Sequence, residues 1–146
     1  METRHLPVEP ELRNRLAEYT FDLVGCIFYV YETLGNGLPE YVYQEALYKY
    51  LVSRGFIVHK EYTHHPVFMG EALDAFIKMD IMVEMPRGNV IIECKAIPAI
   101  TSKEQYQTFG YLRGTGFPIA LLANFGTYPK AEIQRYYFNN GLIKAF

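Results

Sequence analysis

The chain has 146 residues, a formal net charge of −2 and an apolar content of 50%, which together exclude a chain that is disordered by composition. No apolar run approaches the roughly 20 residues that cross a bilayer, and no secretory signal is visible before Pro10. The near-neutral charge gives no sign of bulk phosphate binding, although a basic patch or a bound metal can supply a local positive field. We therefore expect a single domain over residues 1–146, cytoplasmic and without membrane contact, whose residues 1–10 are flexible.

The first part of the chain is predicted to form two helices. Apolar residues recur at spacings of three and four over residues 11–34, which is typical of a helix with one buried face. The glycine-containing stretch 34–39 ends this helix, because glycine suits the left-handed conformation of a helix terminus. A second helix is predicted to begin at Pro39, since proline is favoured in a first turn, and to end near Gly55.

The rest of the chain is predicted to form a sheet with one more helix. That helix covers residues 101–114, with Thr101 or Ser102 as its N-cap and Glu104 close to the capping-box position. The tail, 131–146, is predicted to hold a short helix or a strand. The strands are predicted at residues 56–62, 66–69, 73–85, 90–96 and 117–125. This order of helices and strands indicates an α/β fold with a mixed sheet, in which the last two of these strands are parallel and joined by a right-handed crossover.

A hairpin turn at residues 86–89 sets the relation between two of these strands. A two-residue loop at Arg87-Gly88 pairs residues whose numbers sum to about 175 and places Asp80 opposite Lys95. Glu93 then shares their face, because residues two apart point the same way. Met79, Ile81 and Val83, with Val90, Ile92 and Cys94, are expected on the opposite, core-forming face. A register shift of one residue would break this convergence.

Asp80, Glu93 and Lys95 are costly on strands otherwise made of Ile, Val and Met, unless they are paired or bound to a metal. Two carboxylates suit a hard divalent cation such as Mg²⁺, and a lysine can orient an attacking water and offset negative charge. Phosphodiester hydrolysis needs these elements. A structural ion-pair cluster is the alternative interpretation.

The spacing of Asp80 and Glu93-Cys94-Lys95 resembles the D…ExK core of the PD-(D/E)XK nuclease superfamily. Residues 37–43 (GLPEYVY) are similar to the GxxExxY signature of a small family within it, and residues 107–111 (QTFGY) resemble the QxxxY motif of one of its branches. The resemblance covers about residues 17–126. It implies a restriction-endonuclease-like core, a mixed central sheet flanked by helices.

The resemblance also implies roles for individual residues. The metal, Mg²⁺ or Mn²⁺, would be held by Asp80 and Glu93, together with Glu40 and the backbone carbonyl of Cys94. Lys95 would be the catalytic lysine, and Gln107 and Tyr111 would line the cleft beside it. The chain departs from the family pattern at two positions, where Tyr31 and Glu104 stand in place of histidines.

Three residues are candidates for contact with the substrate. Tyr111 is one helical turn from Gln107 and shares its face. Lys78 has the parity of Asp80 and could reach phosphate at the cleft rim, or be a solvated strand end. Tyr43 is the third candidate, although a packing residue with a tethered hydroxyl is the favoured alternative for it.

The function implied by these features is metal-dependent phosphodiester hydrolysis. The expected partner is nucleic acid, with DNA favoured over RNA, in repair or in defence. One alternative is a nucleic-acid-binding or protein-interaction module on a nuclease fold, with little turnover. Another is a small-molecule phosphohydrolase. Because the chain is small, a homodimer that joins two clefts is one way to hold a long substrate.

Overall fold

The computed structural model describes residues 8–146. The helices are α1 (Pro10–Leu34), α2 (Glu40–Ser53) and α3 (Ser102–Thr115). The strands are β1 (Ile57–His64), β2 (Val67–Phe68), β3 (Glu71–Ala72), β4 (Ile77–Glu84), β5 (Val90–Lys95), β6 (Ile119–Asn124), β7 (Glu132–Asn139) and β8 (Leu142–Ala145). Six strands form one mixed sheet in the order β1-β4-β5-β6-β7-β8, and β2 and β3 form a separate small hairpin. The predicted α/β fold with a mixed central sheet flanked by helices is confirmed. Across residues 8–146, no helix has the length and apolar character needed to span a membrane.

The first two helices lie close to their predicted bounds. Gly35 follows α1 with a φ of 78° and donates its N–H to the carbonyl of Tyr31, so it ends the helix as predicted. Residues 1–7 of the opening predicted to be flexible lie outside the described part of the chain. Val8, however, is buried and donates its N–H to the carbonyl of Ala145 at 3.2 Å, which ties this point to β8.

The third helix links two parallel strands, as predicted. Its N-cap is Thr101, and the predicted capping box with Glu104 is present. Glu104 Oε1 accepts the N–H of Thr101 at 2.7 Å, and the Thr101 hydroxyl accepts the N–H of Lys103 at 3.3 Å. Gly116 ends the helix in the left-handed conformation. Strands β5 and β6 then pair in parallel from Val90–Ile119 to Lys95–Asn124.

The tail forms an antiparallel hairpin, β7 and β8, where the sequence left helix and strand open. Its turn contains Asn140 and Gly141, both with positive φ (53° and 75°). Asn-Gly is a strong signal for a tight hairpin turn, because both residues accept this conformation. The sequence therefore carried a usable indication of the two extra strands.

The predicted register of the β4–β5 hairpin is wrong by two residues. Ile81 pairs with Ile92 and Val83 with Val90, so paired numbers sum to 173 and Asp80 lies opposite Glu93 instead of Lys95. The connection is longer than the predicted two-residue loop, since the last pair encloses residues 84–89. A shift of two residues leaves every side chain on its original face, whereas a shift of one would not.

The sheet separates two groups of buried side chains. The α1–α2 cluster joins the helices α1 and α2 to one face of the sheet and includes Leu23, Ile27, Leu47, Ile81, Val83, Ile92 and Cys94. The α3 cluster lies on the other face and includes Met79, Ile91, Phe109, Leu112 and Leu122. Met79 was predicted to share a face with Ile81 and Val83, and this is wrong: it packs in the α3 cluster.

A buried asparagine fixes the segment that follows β5. The Asn124 side chain accepts hydrogen bonds from the N–H groups of Ile97 and Gly126, both at 3.0 Å, and donates to the carbonyl of Ile97 at 2.9 Å. Asn124→Ala should lower the free energy of unfolding by about 1–3 kcal/mol, since buried backbone groups lose their partners. Chemical denaturation measures this, with the exposed Asn139→Ala as control. Equal stability of the two variants would contradict the expectation.

Candidate active site

The β4–β5 ladder ends at the Ile81–Ile92 pair, and beyond it two carboxylates replace the backbone acceptors. The N–H of Asp80 donates to Glu93 Oε1 at 2.9 Å, and the N–H of Cys94 donates to Asp80 Oδ2 at 2.8 Å. Each strand therefore supplies one backbone donor and one carboxylate to the other. This exchange holds the two acidic side chains between the strands.

The carbonyl of Asp80 is also bound by a side chain from a third element. Gln44 Nε2, on α2, donates to this oxygen at 3.3 Å. The sequence analysis did not select Gln44. Its position four residues after Glu40 was the available signal, because residues at this spacing share one face of a helix.

Burial and mutual repulsion disfavour charge on the two carboxylates. Glu93 is only 2% exposed, and its pKa is raised well above the ordinary value, first by burial and then by the charge of Asp80. The pKa of Asp80 is raised as well, mainly by burial, although the N–H of Cys94 and the charge of Lys95 act in the opposite direction. Removal from solvent is thus the main cause of both shifts.

Glu40 is placed near this pair by the start of α2. Its pKa is raised by burial, lowered by the positive charge of Lys95 and raised by Asp80. Glu40 therefore shares the electrostatic field of Lys95 and Asp80. Its convergence with Asp80 and Glu93 on one metal ion stays a prediction.

Helix α3 covers the other side of the carboxylates. Lys95 Nζ donates to Gln107 Oε1 at 2.9 Å, so this helix holds the end of the lysine. Burial, together with the charges of Glu93 and Asp80, raises the pKa of Tyr111 to about 12. The structure thus brings both residues of the predicted QxxxY motif to the same site.

Tyr43 does not belong to the accessible part of this site. Its side chain is fully buried and stacks on Phe125 with ring centroids 4.6 Å apart. Its hydroxyl donates to the carbonyl of Gly35 at 2.5 Å and accepts the N–H of Leu38 at 3.1 Å. The prediction of a substrate contact is wrong, because no surface of the ring is open. The packing interpretation with a tethered hydroxyl is the correct one.

Two other predicted residues lie at the edges of the site. Lys78 is exposed, with Nζ 3.5 Å from Glu61 Oε1, a carboxylate that the sequence analysis did not select. The thiol of Cys94 is buried in the α1–α2 cluster, where burial raises its pKa well above the ordinary value. Only the backbone of Cys94 is therefore available to the site.

The two positions that depart from the family pattern have structural contacts. Tyr31 is buried and its hydroxyl donates to the carbonyl of Thr127 at 2.6 Å, which ties α1 to the segment after β6. Glu104 is part of the capping box that begins α3. Neither residue bonds directly to Asp80, Glu93 or Lys95.

The donor set of the site fits a hard divalent cation. Within residues 8–146, no three His, Cys, Asp or Glu side chains are arranged to hold a metal ion by themselves. Mg²⁺ often takes only one or two protein carboxylates and completes its shell with water and substrate phosphate. Asp80 and Glu93 offer such a pair, because backbone N–H groups orient both carboxylates and a nearby positive charge favours the ionised form of a carboxylate.

Comparison with known proteins identifies one family. The model of the PD-(D/E)XK nuclease superfamily matches residues 17–136, a range that includes every residue of the site described above. No curated protein and no solved structure matches the chain significantly.

The raised pKa of Glu93 gives stability a definite pH dependence. Because the folded state binds this proton more tightly than the unfolded state, the free energy of unfolding should fall as pH rises through the raised pKa. Glu93→Gln keeps an oxygen for the N–H of Asp80 and removes the charge. Without divalent cations, it should melt above the unmodified protein at about pH 8 and with it near pH 4.

Thermal melting across this pH range measures the difference. Glu45→Gln is the matched control, because Glu45 is exposed on α2. Equal melting temperatures of Glu93→Gln and the unmodified protein at about pH 8 would contradict the expectation.

Tyr43→Phe tests the structural interpretation of this tyrosine. It removes the hydroxyl that binds Gly35 and Leu38 and should lower the free energy of unfolding by about 1–2 kcal/mol. Denaturant titration measures the loss. An unchanged free energy of unfolding would show that the hydroxyl contributes nothing to the α1–α2 connection.

Proposed function

Since the chain belongs to the PD-(D/E)XK nuclease superfamily, we propose that it is a metal-dependent nuclease that hydrolyses phosphodiester bonds, with DNA as substrate. The single observation that carries the proposal is the Asp80–Glu93 exchange beside Lys95, whose end is held by Gln107. We further infer that the chain falls in the GxxExxY family, since residues 37–43 fit its signature, Glu40 begins α2 and Tyr43 anchors the turn before it.

The carboxylates would hold Mg²⁺ or Mn²⁺ between them. Asp80 and Glu93 are the principal ligands in this proposal, with Glu40 and the carbonyl of Cys94 as further oxygens. When bound, such a cation neutralises phosphate charge and lowers the pKa of water. The hydrogen bonds from Asp80 and Cys94 N–H fix the direction of the two carboxylates before any ligand arrives.

Lys95 is the cationic group of the reaction in this proposal. Its ammonium carries three N–H donors, and Gln107 accepts one of them. The remaining donors can bind a phosphate oxygen or orient the attacking water, and the positive charge offsets the negative charge that develops on the phosphate. Lys78 and Tyr111 would contact the substrate at the two sides of the cleft.

The choice of substrate rests on analogy with the superfamily. DNA is proposed over RNA on this basis, with repair or defence as the setting. A homodimer would extend the cleft for a long substrate and stays a prediction.

The proposal is tested by cleavage of plasmid and linear single-stranded DNA with Mg²⁺ or Mn²⁺. Lys95→Ala should lower the cleavage rate by roughly 100–1000-fold, because a charge that stabilises the transition state is lost. Asp80→Ala should abolish metal-dependent cleavage. Lys49→Ala is the control, since Lys49 is exposed on α2 and pairs with Glu45 at 4.0 Å.

The outcomes separate the candidate functions. Cleavage that survives both Lys95→Ala and Asp80→Ala would contradict the proposed site. No cleavage by any protein, with equal DNA binding by all of them, would favour a binding module with little turnover. A parallel assay on RNA decides the nucleic acid, and hydrolysis of small phosphodiesters alone would favour a small-molecule phosphohydrolase.

A further inference from the structure

The pairing of β1 with β4 is interrupted at one step only. The register runs from Ile57–Glu84 to His64–Ile77 and omits the pair Glu61–Asp80. At this step Glu61 has a φ of 52°, in the left-handed region that residues with a side chain rarely adopt in a strand. The irregularity in the edge strand thus lies directly across from a proposed metal ligand.

The side chains of both strands change from one face of the sheet to the other at this step. Val58 and its partner Val83 pack with the α1–α2 cluster, whereas Tyr62 and its partner Met79 pack with the α3 cluster. Residues four apart in a regular strand share one face. These two pairs point to opposite faces of the sheet, so the change of face lies at or beside Glu61 and Asp80.

The hydrogen bonds of Asp80 depend on this change of face. Its N–H and carbonyl are outside the ladder and bind the side chains of Glu93 and Gln44. Its own carboxylate accepts the N–H of Cys94. A regular pair with Glu61 would draw the backbone of Asp80 back into the ladder and rotate its side chain.

We propose that Glu61 is a positioning residue. Its left-handed backbone makes β4 change face at Asp80 and so directs the Asp80 carboxylate between β4 and β5. The inference rests on the proposed nuclease function and adds a residue to it. Glu61 touches no reacting group in this account and acts through Asp80. The conformation of its backbone, and not its ion pair with Lys78, carries the effect.

Substitutions separate the backbone from the side chain. Glycine adopts positive φ freely, so Glu61→Gly keeps the change of face in β1 and β4 while removing the carboxylate. Valine is β-branched and strongly disfavours this conformation, so Glu61→Val should straighten β1. Thr63→Val is the matched control, because it places the same side chain at an exposed position two residues along the strand, outside the left-handed region.

The first measurement is the split between kcat and KM for DNA cleavage, with melting temperature recorded for each protein. Glu61→Val should lower kcat by roughly 100-fold with little change in KM, because misplacement of a catalytic group by about 1 Å has this effect. Glu61→Gly and Thr63→Val should stay within about threefold of the unmodified protein. If Glu61→Val does not fold, Glu61→Ala replaces it, with a smaller loss in the same direction.

The second measurement does not need catalysis. The amide hydrogen of Cys94 should exchange with solvent at least roughly tenfold faster in Glu61→Val, because Asp80 no longer accepts it, and at the original rate in Glu61→Gly. Unchanged exchange in Glu61→Val, or equal losses in the Val and Gly variants, would overturn the inference. Absence of cleavage by the unmodified protein would refute the proposed function alone, since the exchange rates still decide the role of Glu61.

Discussion

The site depends on the place where β4 and β5 stop pairing through their backbones. From that point the N–H of Asp80 and the N–H of Cys94 are bound by carboxylates of the opposite strand. A backbone donor that is buried without a partner is costly. Each carboxylate therefore accepts an N–H group that lost its backbone partner where β4 and β5 stop pairing. The same bonds that join the strands also present two acids to one small volume. The helices contribute around it, α2 with Gln44 and Glu40, and α3 with Gln107 and Tyr111.

This arrangement places like charges where the protein can hardly solvate them. Glu93 is buried in the sheet beside Asp80, and the positive charge of Lys95 acts on both carboxylates and on Glu40. The local structure is therefore less stable than an apolar strand pair would be. Stability lost at a site of this kind is a common cost of function.

Much of this site could be predicted from the sequence, because its residues are close along the chain or follow a known motif. The faces of Glu93 and Lys95 did not change with the incorrect register, since the error was two residues and alternation has a period of two. Asp80 meets Glu93 as predicted, although it lies where the alternation of β4 breaks. The misplacement of Met79 shows the limit of the same argument. The strand that holds Met79 shows apolar residues on alternate positions, and this periodicity gives no sign of a change of face that depends on the neighbouring strand. Gln44 and Glu61 were missed because each acts through one tertiary contact with Asp80 or its surroundings.

The hydrogen bond from Lys95 to Gln107 has a consequence for conformational entropy. A free lysine side chain samples many rotamers, and fixing it costs up to roughly 1.5–2 kcal/mol. In this protein part of that ordering is completed when the chain folds and α3 packs over the sheet. In the proposed reaction, a phosphate group would therefore meet an ammonium that Gln107 already holds, and less binding energy would be needed to order the lysine side chain.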